Sequence, residues 1–263
     1  MNDTVSKPNV TLVCCGLVGT LVADDGLIER SFAEAIATQG VVAGTSAYAK
    51  RMAQVHQARG HAPADVFGTL FPDNEARAQA ALLAFRRAIA DAIRRTEFVP
   101  LPGAIAALGQ LSLAGISVCV LTSLPRRALE PIMATAGLRR LLTLSLSAED
   151  VARGFPAPDL PLTALMRCGA AAVHEVAVVH STGAGVESGC RSGAGVVAGV
   201  VTGPHSAARL RAAGAGRVVG SFADVPRIVL PGQPSEGRPA SGLGLPRISI
   251  PAQAAAERRT LGS

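Results

Sequence analysis

The segment VTLVCCGLVGTLVADDG, which begins at Val10, places several reactive residue types at the end of one apolar run. Cys14 and Cys15 are possible nucleophiles, and the Gly-Thr turn at Thr20 has the outline of a phosphate-handling turn between a strand and a helix. Cysteine attacks as the thiolate, and no Arg, Lys or His nearby in the sequence would lower either pKa. We therefore expect both cysteines to be core thiols, and we expect Asp24 and Asp25 to cap the helix that begins in DGLIERSF.

A second pair of reactive types, His180 and Ser181, ends the apolar run VAVVHS. A serine nucleophile needs a histidine base that is itself oriented by an acid. Adjacent residues of a strand point to opposite faces, so these two side chains are not expected to form such a pair. Neither the cysteines nor this pair predicts an enzyme when taken alone.

The elements that would position these residues alternate between strands and helices. Near-continuous apolar runs followed by helical patterns are typical of a parallel sheet covered on both faces. The sequence therefore predicts an α/β fold with a doubly wound parallel sheet. The predicted strands are residues 10–15, 116–122, 141–147, 176–181 and 196–203, and the predicted helices between them are 101–115, 125–138, 157–169 and 206–215.

About eighty residues separate the first strand from the second, far more than one crossover needs. Residues 26–98 carry apolar side chains at three- and four-residue spacing, which predicts an inserted α-helical cap. The predicted core then comprises residues 1–25 and 99–230. Residues 231–263 are rich in Pro, Gly and Ser, which predicts a disordered tail with a short docking segment at LPRISIPA.

Over residues 9–230 this pattern resembles the haloacid dehalogenase superfamily, in particular its phosphonatase-like branch. The resemblance lies in GLVGTLV after the first strand, the helical cap, a strand that ends in Thr-Ser, and the element GFPAPDLPLTALMRCG. It continues through STGAGVESGCRSGAGVVAGVVTG near the last strands. The resemblance implies a hydrolase-type Rossmann-like core with a cap.

The residues that the resemblance assigns to catalysis are replaced. The nucleophilic aspartate of the family falls at Gly16, and the acid/base position two residues later is Val18. The lysine or arginine that holds the phosphoryl charge falls at Phe155, while Arg153 lies two residues earlier in a different register. Glycine, valine and phenylalanine cannot supply a nucleophile, a proton or a balancing charge.

The metal-binding motif of the family, of the type GD-x-x-x-D, is also replaced. Its two acids fall at Ser181 and Gly185, and Glu187 takes the place of a structural acid in the next helix. Mg²⁺ prefers carboxylate oxygens, so we expect no metal site and no cofactor. The phosphonatase proper uses a cap lysine, and the corresponding region here contains His56, with Lys50 nearby.

Some hydroxyl-bearing positions of the family's motifs survive. Ser123 aligns with the Thr/Ser of the second motif, and the turn at Thr20 is kept. Backbone amides at these turns lie where open α/β sheets bind ligands. The sequence therefore predicts an anion-binding set, which consists of Thr20, Thr122, Ser123 and Thr182.

The composition of the chain indicates which classes of partner and which location to expect. The chain has 263 residues and a formal charge of +6, but its basic residues are scattered in pairs and not interleaved with aromatics, which does not favour a nucleic-acid surface. We expect no membrane span, because the apolar runs are too short. The N-terminus has no signal-peptide pattern, and five cysteines without C-x-x-C spacing favour buried free thiols and a cytoplasmic location.

Three functions remain open from the sequence. The first is a catalytically inactive scaffold, regulatory or assembly subunit, with an unidentified protein partner bound through the cap or tail, or a homodimer formed through the cap. The second is a module that binds a phosphorylated or phosphonate metabolite at the former catalytic site. The third is a hydrolase with non-standard residues, and the fold alone does not choose among them.

Overall fold

A computed structural model describes residues 9–230, and the predicted tail at 231–263 with its docking segment lies outside the described residues. Within residues 9–230, six parallel strands form one sheet in the order β3-β2-β1-β4-β5-β6. The strands are β1 (Leu12–Gly16), β2 (Ser117–Thr122), β3 (Leu144–Ser147), β4 (Val176–His180), β5 (Val196–Val200) and β6 (Arg217–Val219).

Ten α-helices occur in the same described part of the chain. They are α1 (Leu27–Ala37), α2 (Ser46–Gln57), α3 (Pro63–Leu70), α4 (Glu75–Arg95), α5 (Ala104–Leu113), α6 (Arg126–Thr135), α7 (Asp159–Cys168), α8 (Gly183–Ser192), α9 (Ala207–Ala212) and α10 (Val225–Val229). The first four lie between β1 and β2, in the region where the sequence predicts a helical insertion. No helix among the described residues is long and apolar enough to cross a bilayer.

The sheet is covered on both faces, as the prediction of a doubly wound fold requires. Val13 and Cys15 belong to one apolar cluster, whereas Leu12 and Cys14 belong to the other. Successive residues of a strand point to opposite faces, so this division shows that helices pack on each side of β1. The prediction of an α/β doubly wound parallel sheet is confirmed.

The helical insertion contributes one phenylalanine from each of three helices to the larger apolar cluster. Phe32 of α1 lies 4.4 Å from Phe85 of α4 and 5.2 Å from Phe67 of α3, measured between ring centroids. All three rings are buried. In a chain with few aromatics, this cluster joins α1, α3 and α4 into one packed layer.

Three local expectations differ from the structure. Strand β6 was not predicted, because the three residues Arg217–Val219 are too short and too polar at one end to give a strand pattern. Asp24 accepts a hydrogen bond from the Ile28 amide at 3.5 Å, but the residue before α1 is Gly26 and the Asp25 carboxylate caps nothing. Cys14, Cys15 and Cys119 are buried free thiols as expected, whereas Cys168 is half-buried and Cys190 is exposed.

Candidate functional site

The site forms where the carboxyl ends of three central strands meet. Strand β1 lies between β2 and β4, so Gly16 lies opposite Leu121, and Cys15 lies opposite Val179. The turns that follow these strands bring Thr20, Ser123 and the start of α8 to the same edge. Open α/β sheets bind their ligands at this edge, which makes it the first place to look for chemistry.

The imidazole of His180 fills the space between the two glycines at this edge. A Cβ atom added to Gly16 would lie 3.0 Å from His180 Nε2, and a Cβ added to Gly185 would lie 2.1 Å from His180 Cγ. Real Cβ atoms do not approach other atoms as closely as the second distance. The histidine therefore occupies the volume into which side chains at positions 16 and 185 would extend.

Phe155 closes the same space from a third side. Its ring is fully buried and meets the His180 ring edge to face, with 5.0 Å between the ring centroids. Val18 is half-buried and lines the small cavity beside His180. Residues 16, 155 and 185 thus all adjoin one buried ring.

His180 is held in a neutral form by its surroundings. Its Nδ1 accepts a hydrogen bond from the Thr182 amide at 3.3 Å and lies 3.0 Å from Thr182 Oγ1, which assigns the ring proton to Nε2. Nε2 forms no well-aligned hydrogen bond among the described residues, and its weak interaction with the Leu121 backbone only partly opposes the effect of burial. Burial, reinforced by nearby His205, lowers the pKa of His180 to about 4.

Three of the four hydroxyls predicted to bind a ligand are engaged within the protein. Thr20 Oγ1 donates to Ser181 Oγ at 3.1 Å, and both residues are fully buried. Thr122 Oγ1 accepts from the Leu124 amide at 3.1 Å, and Thr182 Oγ1 caps α8 by accepting from the Gly185 amide at 3.3 Å. Ser123 is half-buried. It lines both the small cavity beside His180 and a larger cleft next to Phe155.

The residues present do not fit Mg²⁺. Positions 16, 181 and 185 offer one hydroxyl, which already bonds Thr20, and no carboxylate. No group of three or more His, Cys, Asp and Glu side chains suited to a metal ion occurs between residues 9 and 230. Glu187 is half-exposed and forms an ion pair with Arg191 at 3.1 Å. Mg²⁺ prefers several carboxylate oxygens as ligands, and these positions provide none.

The cap segment covers the site with an arginine that the sequence analysis missed. Arg59, just after α2, is 6% exposed and forms ion pairs with Asp24 and, at 3.9 Å, with Glu29. His56 and Lys50, suggested by the resemblance, are exposed on α2. Arg59 belongs to no motif, and the glycine after it was the one local signal in the sequence.

That glycine lets the cap come close to the strand ends. Gly60 has a φ of 96°, in the left-handed region that favours glycine, and a Cβ added there would lie 2.4 Å from Thr182 Oγ1. Any other residue would be strained in the backbone and would collide with the start of α8. The Arg59-Gly60 pair therefore fixes the cap against the site.

Two cavities lie near the strand ends, and they differ greatly in size. The one at the strand ends, which borders Val18, Arg59 and His180, measures about 40 Å³ and has room for a few water molecules only. A cleft of about 480 Å³ lies on the other side of Phe155. Two arginines that line this cleft already pair with carboxylates, Arg86 with Glu149 at 3.0 Å and Arg153 with Asp159 at 2.7 Å.

The two cysteines beside Gly16 belong to the packed core. Cys15 is completely buried, and burial raises its pKa well above the usual range, which opposes formation of a thiolate. Cys14 is also fully buried and lies opposite Cys119 on β2. Their placement agrees with the expectation of core thiols.

Comparison with known proteins identifies the fold. The family model described as haloacid dehalogenase-like hydrolase matches residues 10–193. No curated protein sequence is significantly similar to the chain.

Several solved structures have the same fold. A hydrolase from Pseudomonas syringae has a TM-score of 0.71 at 21% identity, over 83% of this chain and 96% of that one. A phosphonoacetaldehyde hydrolase like protein from Oleispira antarctica has a TM-score of 0.71 at 19% identity, over 86% and 96%. A predicted phosphatase from Clostridium acetobutylicum has a TM-score of 0.72 at 18% identity, over 84% and 98%.

The packing of His180 against Gly185 can be measured by a double-mutant cycle. Gly185→Ala should lower the free energy of unfolding by about 2 kcal/mol or more, because the new methyl group collides with the ring. In a His180→Ala background the same change should be neutral or stabilising by up to about 1 kcal/mol, since alanine favours helix. Urea denaturation of the natural protein, the two single variants and the double variant gives the coupling free energy between positions 180 and 185.

Gly109→Ala in α5 is the matched control, because a Cβ there meets nothing within 4 Å. It should leave the protein as stable or more stable in both backgrounds. Equal destabilisation by Gly185→Ala with and without the imidazole would contradict the packing described here.

The low pKa of His180 predicts an acid-dependent loss of stability. The pKa of the residue is about 6.5 in the unfolded chain and about 4 in the folded protein. Between these two pH values the unfolded chain is protonated at this residue and the folded protein is not. Stability should therefore be full above about pH 6.5 and fall as the pH drops toward 4, by up to about 1.4 kcal/mol per pH unit from this residue. Urea midpoints across this window measure the slope.

His180→Asn is the variant to compare, because its side-chain oxygen can still accept the Thr182 amide while the residue no longer titrates. Its stability should depend less steeply on pH than that of the natural protein. His205 is unchanged in the variant, so its contribution to the pH dependence of stability is the same in both proteins. Parallel curves for the two proteins would show that His180 protonates normally when folded.

Proposed function

Because the chain belongs to the haloacid dehalogenase-like hydrolase family, we propose that it is a member of that fold that has lost catalysis and acts as a scaffold, regulatory or assembly subunit. One observation carries the proposal: the His180 ring occupies the space between Gly16 and Gly185. In the family's mechanism, as the resemblance gives it, this space belongs to the nucleophile and the metal-binding acids. A ring in this position supplies none of their chemistry.

The residues at several motif positions together support the proposed loss of catalysis. Gly16 offers no nucleophile, and Phe155 offers no positive charge to stabilise a phosphoryl group. His180 cannot act as a base toward Ser181, because its Nδ1 is engaged with Thr182 and the serine hydroxyl bonds Thr20. Among residues 9–230, no nucleophile is paired with a base at this edge.

The alternative that the former catalytic site binds a phosphorylated metabolite has less support. The cavity there measures about 40 Å³, whereas pockets that enclose a small-molecule ligand usually measure about 300–1,000 Å³. Three of the hydroxyls proposed to bind such a ligand already bond within the protein. Binding there would require the cap and His180 to move.

The absence of catalysis is tested by phosphate release in the presence of Mg²⁺. The purified protein should give no turnover above a no-protein blank with phosphate-ester and phosphonate substrates. Gly16→Asp alone should remain inactive, because the His180 ring stays in place and positions 181 and 185 still offer no carboxylate to hold Mg²⁺. Robust Mg²⁺-dependent hydrolysis by the natural protein would overturn the proposal.

A combined variant provides the positive control. Gly16→Asp, Phe155→Lys, His180→Gly, Ser181→Asp and Gly185→Asp together restore the family pattern and remove the ring from the space. We expect measurable Mg²⁺-dependent hydrolysis from this protein, provided that circular dichroism shows it folded. An active combined variant beside an inactive natural protein would assign the loss to these positions.

The proposed partner role can be located by paired surface changes. Leu83 on α4 of the cap region is 51% exposed, and Leu113 on α5 is 92% exposed. Leu83→Asp should abolish recovery of a stoichiometric partner, or dissociate a homodimer, if the cap is the contact surface. Leu113→Asp is the control and should leave the complex intact.

Affinity purification with mass spectrometry measures recovery of a partner, and light scattering measures dissociation of a homodimer. A chain that ends at Leu230 should be compared in the same experiment, since the tail is the other proposed contact. Retention of the partner by all three altered proteins would contradict contact through the cap or tail.

A further inference from the structure

One surface of the cap region carries two arginines that are held over a single phenylalanine ring. The guanidinium carbon of Arg77, in α4, lies 4.8 Å from the centre of the Phe71 ring, and that of Arg51, in α2, lies 5.4 Å from it. Both distances are within the range of cation–π contacts. Because the two groups share one ring, a single segment of a partner can reach both positive charges.

Further contacts hold the Arg77 guanidinium in place. The side chain of Asn74 caps α4 by accepting the Arg77 amide at 2.9 Å, and the guanidinium donates to the Gln39 carbonyl. The Phe71 ring below it is buried. A side chain that is already ordered loses little conformational freedom when a partner binds, so these contacts favour binding at this position.

Neither arginine has an acidic partner in the described part of the chain. No ion pair joins Arg51 or Arg77 to a carboxylate between residues 9 and 230. Asp73 and Glu75, the acids nearest to Arg77 in the sequence, are exposed and pair with neither arginine. Two like charges held this close repel each other, and a carboxylate that binds both would replace the repulsion with attraction.

Both guanidinium groups keep donors that a partner can reach. Arg51 and Arg77 are half-buried. Arg51 Nε is enclosed and therefore unavailable, whereas Arg51 Nη2 and Arg77 Nη1, which have no hydrogen-bond acceptor among residues 9–230, retain accessible surface. Guanidinium N–H groups bind carboxylate oxygens through short, charge-assisted hydrogen bonds.

The adjoining loop favours a protein segment over a free anion as the ligand. Residues 42–47 are all exposed, and they follow directly on the loop segment whose Gln39 carbonyl binds Arg77. Among them Val42 is 67% exposed. A protein partner can cover this apolar side chain while its carboxylates bind the arginines, as in interfaces that combine an apolar centre with polar contacts.

We propose that Arg51, Arg77 and Val42 form an arginine surface that binds an acidic segment of a protein partner. Aspartate or glutamate carboxylates bind the two guanidinium groups, and an apolar side chain of the segment covers Val42. The inference rests on the proposed function in one respect, the binding of a protein partner through the cap, and it adds the chemistry of that partner.

Fluorescence anisotropy with a labelled glutamate-rich peptide that carries a central leucine, at neutral pH and fixed ionic strength, tests the proposal. We expect saturable binding to the full chain that weakens as salt is added. Arg51→Gln with Arg77→Gln should weaken it about tenfold or more, because the charge-assisted contacts are lost. Arg51→Lys with Arg77→Lys keeps both charges and should bind more tightly than the glutamine pair.

Arg87→Gln with Arg95→Gln is the matched control. Both residues are exposed arginines of α4, and the pair removes the same charge from the same part of the chain. This variant should bind the peptide like the natural protein. Circular dichroism of each variant establishes that it is folded before its affinity is compared.

Three results would overturn the proposal: no saturable binding of the peptide, equal losses from the two glutamine pairs, or displacement of the peptide by a single-stranded oligonucleotide of equal charge at lower concentration than by unlabelled peptide. The last result would assign the surface to nucleic acid. Such failures are distinct from failure of the proposed function, which would appear as Mg²⁺-dependent phosphate release by the natural protein.

Discussion

The arrangement at the strand ends depends on one packing interaction, the insertion of the His180 ring between Gly16 and Gly185. The ring leaves no room for a side chain at position 185, because a Cβ added there would lie 2.1 Å from it, and it packs closely against Gly16, where an added Cβ would lie 3.0 Å from Nε2. It also contacts Phe155 edge to face, with 5.0 Å between the ring centroids. Positions 16, 155, 180 and 185 are therefore coupled through one side chain.

The cap is held in place by the same region. Arg59 is buried over the site and paired with Asp24, which follows the first strand, and Gly60 lies against Thr182. Leaving either member of a buried ion pair alone is costly, so the pair favours the closed arrangement. In this chain the cap meets strand ends between which the His180 ring is packed.

The sequence predicted the sheet, its covered faces and the helical insertion, because long apolar runs and three- and four-residue spacing carry that information. It also located Gly16, Phe155, Ser181 and Gly185 through the family resemblance. It could not predict that His180 fills the space between them, since this depends on how β1, β4 and α8 meet. Arg59 was missed for the same reason: its partners are far away in the sequence, and it belongs to no motif.

The most direct test of the account is nitrogen-15 NMR of the histidine side chains, with His180 assigned by substitution. A ring packed between Gly16 and Gly185 should show a proton on Nε2, remain neutral well below the ordinary histidine pKa of about 6.5, and not respond to millimolar Mg²⁺. Titration of His180 near the ordinary value, or a shift of its signals on addition of Mg²⁺, would contradict the claim that this ring fills the space between Gly16 and Gly185.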